Sequence, residues 1–183
     1  MNLNKGNGSG QFYWFHGIVE DISDPLKLGR VRVRCIGYHN EDANILPVEN
    51  LPWSYQIMPV TSAAYKGIGR SPTGLKIGSW VIGFFRDGEV GQDPIIMGSI
   101  PSITDGVPDI PVSAQTNYPN RHVIRTESGH QFQWDDTPGS ETISMTHKKG
   151  SVFSIDKDGN ILVDATAGGG SVTIKGTRID LNP

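Results

Sequence analysis

The residues best placed to do chemistry stand in "GRVRVRCIG", residues 29 to 37, where Arg30, Arg32 and Arg34 alternate with Val31, Val33 and Cys35. Successive side chains of a β-strand point to opposite faces, so this spacing sets three guanidinium groups on one side and the apolar residues on the other. Such a row can track nucleic-acid phosphates, with Trp14, Phe15, Tyr38, Trp53 and Tyr55 as stacking partners, or it can fork onto carboxylates. Glu20, Asp21, Asp24, Glu41 and Asp42 crowd the same region, and 16 Lys and Arg stand against 19 Asp and Glu, a formal net charge of -3. With no cationic excess to drive counterion release, nucleic acid is set aside as the main partner. The arginines are expected to form the solvated outer face of a barrel strand, and to offer an interface to acidic groups of a neighbouring subunit or protein.

The other polar residues assemble no catalytic or metal-binding pattern. His16, His39, His122, His130 and His147 are scattered, without a His-x-His or His-Glu-x-x-His spacing and with no cysteine pair, so zinc-type chelation is not written along the chain. Histidines of several chains could meet on a shared axis, and His147 continues the spacing of Ile143 and Met145; it is nonetheless expected to be solvated or locally bonded. Asp135 and Asp136 are adjacent and face opposite ways in a strand, which disqualifies them as the facing carboxylates of a glycosidase. Before Thr137-Pro138-Gly139 they are expected to cap a turn. "KDGN" and "AGGG" lack the ligand series or following helix of calcium and phosphate loops and read as turns. Cys35 is the single cysteine, forms no intramolecular disulfide and reads as a small buried hydrophobe. No catalytic residue, metal or cofactor is expected.

The elements that position these residues are short strands. The 23 glycines and 12 prolines, with 36% hydrophobic residues, suit strands joined by tight turns and predict an all-β protein. No apolar run of about 18 residues and no basic-then-apolar leader is visible. Residues 1–11 are rich in Gly, Asn and Ser and read as a flexible lead-in. Over residues 12–100, "FYWFHGIVEDI", "GRVRVRCIG", "LPWSYQIMPV", "SWVIGFFRDG" and "DPIIMGSI" are five strand segments, with a long loop at "TSAAYKGIGRSPTGLKIG". That count and order fit a small Greek-key barrel of the OB type.

Residues 101–119 carry four prolines and predict an extended linker. From residue 120 to 183 the texture changes to short apolar pairs: Ile143 with Met145, Phe153 with Ile155, Ile161 with Val163, Val172 with Ile174, and Ile179 with Leu181. Alternating strands closed by Gly are the pattern of a hairpin meander or a β-helical stack. A lone ribbon of this kind leaves one apolar side and its edges open, and three copies wound about one axis would turn every pair inward. Spacing alone leaves the number of chains open.

"DPLKLGRVRVR", "LPWSYQIMPVTSAAYKGIGRSPTGL" and "GSWVIGFFRDGEVGQDPIIMGSIP" together closely resemble the N-terminal OB domain of the central spike proteins of contractile-tailed phage baseplates. The second half resembles the segment that leads into the trimeric β-helical needle of that family, and is also similar to the valine-glycine-repeat spike of type VI secretion. The resemblance implies an OB barrel followed by an intertwined trimeric β-helix, with Ile143, Met145, Phe153, Ile155, Ile161, Val163, Val172, Ile174, Ile179 and Leu181 in the trimer core. It further implies a homotrimer in the virion tail, held at its barrel by baseplate hub proteins, that punctures the host envelope and touches it only transiently. An OB nucleic-acid module, or the spike of a phage-derived injection system, is the alternative.

Members of that family that carry a lysozyme place it between barrel and needle. Here residues 101–119 span that position, so the resemblance implies a spike without enzymatic activity. Relatives that sharpen their own tip do so with a His-x-His motif holding iron, whereas no histidine follows His147. The expectation is therefore a separate tip protein of the proline-alanine-alanine-arginine repeat type on the C-terminal end.

Overall fold

A computed structural model of the chain describes residues 12–180. The expected lead-in at 1–11 and Leu181 lie outside the described residues. The chain divides into two compact units between Pro108 and Asp109.

The first unit is a closed barrel of five strands, β1 (Trp14–Asp21), β2 (Val31–Cys35), β3 (Trp53–Gln56), β4 (Trp80–Phe85) and β5 (Pro94–Ser99), in the order β1-β2-β3-β5-β4. β1 runs antiparallel to β2 and β4, and β3 closes the wall by pairing parallel with β5. The two-residue period sorts the core: Phe15, Val19, Val31, Val33, Cys35, Val81, Phe85 and Ile96 all point inward and are buried. Gly83 also faces inward, where a Cβ would collide with the Ile95 carbonyl and the Phe15 ring, so the close approach of β4 and β5 requires its missing side chain. The strand segments and the long loop stand where the sequence placed them.

Residues 101–119 depart from the extended linker expected of them. They contain a two-stranded hairpin, β6 (Ile103–Thr104) with β7 (Val107–Pro108), and a short helix, α1 (Val112–Thr116). Asp105-Gly106, both at positive φ, turn the hairpin between its two-residue arms. The prolines, at 101, 108, 111 and 119, lie at its ends and outside α1, so they shape these pieces rather than prevent them.

The second unit is an antiparallel meander of β8 (Arg121–Arg125), β9 (Gln131–Asp135), β10 (Thr142–Thr146), β11 (Val152–Ile155) and β12 (Ile161–Asp164), each strand paired with the next. Of the two expected arrangements, the isolated chain takes the meander. Val172, Ile174 and Ile179, expected in strands, lie in a stretch with no strand among the described residues, because no edge of their own chain pairs with it. Among the described residues, no apolar side chain of this unit is buried; its one buried residue is Asp135.

Candidate assembly surfaces

The meander sorts its side chains into an apolar and a polar face. On the apolar face one cross-strand row runs His122, Trp134, Ile143, Ile155, Ile161, each residue directly opposite the next. The neighbouring row runs Ile124, Phe132, Met145, Phe153, Val163. Directly opposed side chains in such rows touch, so the sequence pairs, separated by turns along the chain, form one continuous surface. On the other face Val123, Gln133, Ser144, Ser154 and Leu162 make the matching row.

This amphipathicity is inverted for a single chain. Trp134, Ile143, Met145, Phe153, Ile161 and Val163 are 37 to 66% exposed. A face of eight to ten half-exposed apolar side chains forgoes on the order of 10 kcal/mol per chain while it remains in water. A groove of about 680 Å³ runs along it and is also bordered by Val172. Of the ten residues expected in a trimer core, the structure gathers Ile143, Met145, Phe153, Ile155, Ile161 and Val163 on one face, sets Val172 at its groove, and does not bring Ile174 or Ile179 into a strand. The rows also recruit Ile124, Phe132 and Trp134, which the sequence reading missed although the alternation in "HQFQWD" signals Phe132 and Trp134.

Two histidines close the end of this face. His130 and His147 approach with ring centroids 4.5 Å apart and planes inclined at 52°. The Nδ1 of His147 accepts the amide of Lys149 at 3.2 Å.

Asp135 is a structural anchor. Its carboxylate accepts from the Thr137 hydroxyl at 2.6 Å and amide at 3.1 Å, from Arg121 Nε at 2.8 Å and Nη2 at 2.5 Å, and from Asn117 at 3.2 Å. The Thr137 hydroxyl, followed by Arg121, holds its pKa far below the usual carboxylate range. Turn capping at Asp135 agrees with the sequence reading, and Arg121 is an added partner. Asp156 likewise accepts the amides of Asp158 and Asn160, so "KDGN" is a turn.

On the barrel, the arginine row is not a wet face, which corrects the sequence expectation. The side chains of Arg30, Arg32 and Arg34 are only 11, 16 and 8% exposed. Arg34 forks onto Glu20 at 2.6 and 2.8 Å and donates to the carbonyls of Asn40 at 2.5 Å and Leu46 at 3.0 Å. Arg32 donates to the carbonyls of Val48, Glu49 and Leu51 and lies over the Trp53 ring at 4.5 Å. Arg30 pairs with Asp24 at 2.7 Å, and Asp24 also accepts the amides of Leu26, Leu28 and Arg30. The segment between β2 and β3 thus lies over β2, and its carbonyls take donors from Arg32 and Arg34. Arg30 holds the pKa of Asp24 far below its ordinary value. Burial pushes the Cys35 thiol up to about 12, so it is an inert core group, as its position in the sequence suggested.

One wall of the barrel, formed by β1, β4 and β5, is instead uncharged and partly aromatic. β4, β5 and the first six residues of β1 contain no Asp, Glu, Lys or Arg. Outward from them project Trp14, Phe84, Ile82 and Met97, with Phe12 packed on Trp14 and Phe84 at 4.5 and 4.7 Å between centroids. Phe12 and Trp14 are 53 and 50% exposed.

Comparison with known proteins finds a matching family and relatives. A family model described as the Gp5 N-terminal OB domain matches residues 37–128. The chain is 42% identical over 102 residues to the Protein Gp5 of Vibrio phage KVP40, covering 54% of the chain and 24% of that protein. It is 51% identical over 84 residues to the pre-baseplate central spike protein Gp5 of Enterobacteria phage T4, covering 43% of the chain and 15% of that protein. The matched stretches therefore span a quarter or less of the length of these relatives.

Proposed function

The chain belongs to the Gp5 N-terminal OB domain family, and from that premise we propose that it is a structural part of the central spike of a contractile-tail baseplate, located in the virion tail. In this reading the barrel is the attachment module and the second unit is the start of a needle built by three copies. The needle acts mechanically on the host envelope and performs no hydrolysis.

The carrying observation is the open apolar face of the second unit, ten cross-strand neighbours with no apolar core behind them. Two further copies supply what the chain lacks. Three identical faces turned to one axis exclude water from Ile143, Met145, Phe153, Ile155, Ile161 and Val163, and the alternating stretch 171–176 gains an edge to pair with on a neighbouring chain. The meander of the single chain then serves as the subunit of an interwoven β-helix.

Hub proteins of the baseplate are the proposed partners of the barrel, and the uncharged wall around Trp14, Ile82 and Phe84 suits them better than the arginines, which are largely buried and ion-paired within the chain. A closed barrel has no free edge to extend, so that contact is face to face. A tip protein of the proline-alanine-alanine-arginine repeat type remains the proposed partner beyond the needle. Asp135, a carboxylate that Thr137 and Arg121 keep ionised, cannot serve as a general acid near neutral pH.

Native mass measurement of the intact chain tests this reading. Three copies are expected, and a monomer at micromolar concentration refutes it.

A further inference from the structure

His130 and His147 stand on the same face as Phe132, Trp134, Ile143 and Met145, since each continues the two-residue spacing of its strand. The register of β9 with β10 pairs Thr146 with Gln131, and one step further sets His147 directly opposite His130. The His147 amide donates to the Ser151 carbonyl at 2.8 Å, away from β9, and the His130 carbonyl accepts the Thr126 amide at 2.9 Å, away from β10. The two residues are therefore a non-hydrogen-bonded cross-strand pair, the closer of the two kinds. That explains rings 4.5 Å apart.

We infer that the His130–His147 pair is a binding site for a divalent transition-metal ion of the zinc or nickel class. Two imidazoles at this separation can turn one nitrogen each to a common ion, as the metal-nitrogen distance of about 2 Å requires. Thr126 and Ser151 border the same groove and offer oxygen atoms or a place for water. The surroundings select the kind of ion. Among the described residues no group of three or more His, Cys, Asp or Glu gathers at one point. Calcium or magnesium, held by anionic oxygen, finds no carboxylate ligand set here, whereas an ion that bonds to neutral imidazole nitrogen does not need one. Ligation of His147 through Nε2 places the proton on Nδ1, so the ion displaces the 3.2 Å contact with the Lys149 amide.

The site deepens the spike reading and rests on it for its setting. If the apolar face closes against two further copies, three histidine pairs are carried out of water together, and buried imidazoles need either hydrogen-bond partners or a metal. An ion at this end would then tie the chains at the point where the apolar rows stop.

The experiment titrates Zn²⁺ into the intact protein near neutral pH by calorimetry, with excess Mg²⁺ present and with native mass measured on the same samples. Saturable binding is expected, weakened about tenfold or more by His130→Gln and by His147→Gln, and unchanged by His16→Gln on the barrel. In the amide spectrum the Lys149 resonance should shift on Zn²⁺ addition. A trimer whose Zn²⁺ binding matches that of the double variant overturns the site and leaves the assembly standing. A monomer that binds Zn²⁺ through both histidines upholds the site and overturns the assembly.

Discussion

Met145 on β10 stands directly opposite Phe153 on β11, and the two apolar side chains are 50 and 37% exposed. A cross-strand pair of this kind normally lies against a core. Its exposure in the isolated chain, repeated along two rows, is the basis of the first prediction.

Replacing Met145 with Asp, or Ile161 and Val163 together with Asp, puts like charges into the shared interior proposed for three copies. Size-exclusion light scattering should show monomers for both variants. Ser144→Asp, on the opposite face, should leave the mass unchanged, and equal loss of assembly in that control would mean the wrong face has been assigned.

Arg34 is the most heavily engaged of the barrel arginines. Arg34→Met keeps the volume but strands the Glu20 carboxylate and two covered carbonyls, which should cost the barrel about 2–4 kcal/mol. Arg34→Lys keeps the charge and loses the fork, so it should recover only a minor part of that loss. Urea denaturation followed by tryptophan fluorescence measures both, and a lysine variant as stable as the parent would remove the clamp argument.

Asp24 and Asp135 both have folded pKa values depressed below those of the unfolded chain, the first by Arg30 and the second by Thr137 and Arg121. Each group contributes stability that is complete above the unfolded value of about 4 and is lost as pH falls below it toward the folded pKa. Urea midpoints should therefore fall between about pH 4 and pH 2. Asp24→Asn should lower the neutral midpoint and flatten that acid slope, which the parent and variant curves compare directly.

His39 is held below its ordinary pKa by burial, and its Nδ1 accepts the Cys35 amide at 3.0 Å. A depressed histidine favours the folded state above the unfolded value of about 6.5 and loses that contribution as pH falls through it. His39→Gln should remove the slope in barrel stability just below that pH; persistence of the slope would assign it to another group.

The wall around Trp14 and Phe84 faces outward on a closed barrel, so Trp14→Ser with Phe84→Ser should leave the barrel folded by circular dichroism. Incorporation of the purified variant into baseplates should fall at least tenfold, by about 1.4 kcal/mol of contact or more. Unchanged incorporation would place the attachment surface elsewhere.

The alternation of apolar and polar residues determines a great deal by itself. It set the five barrel strands, the inward burial of Val31, Val33 and Cys35, and the pairing of Ile143 with Met145 or Ile161 with Val163 on common sides, because a strand's period is a local property of the backbone. The same local rule could say that Arg30, Arg32 and Arg34 share a side, but not what covers it. Their partners at Asn40, Leu46, Val48 and Leu51 come from a loop whose path is set by the whole barrel, and only the tertiary structure turned an expected wet face into a clamp. His130 and His147 illustrate the same limit. They are far apart along the chain and spell no motif, yet strand register sets them face to face, since pairing is decided by the turns and neighbours of a sheet rather than by sequence spacing.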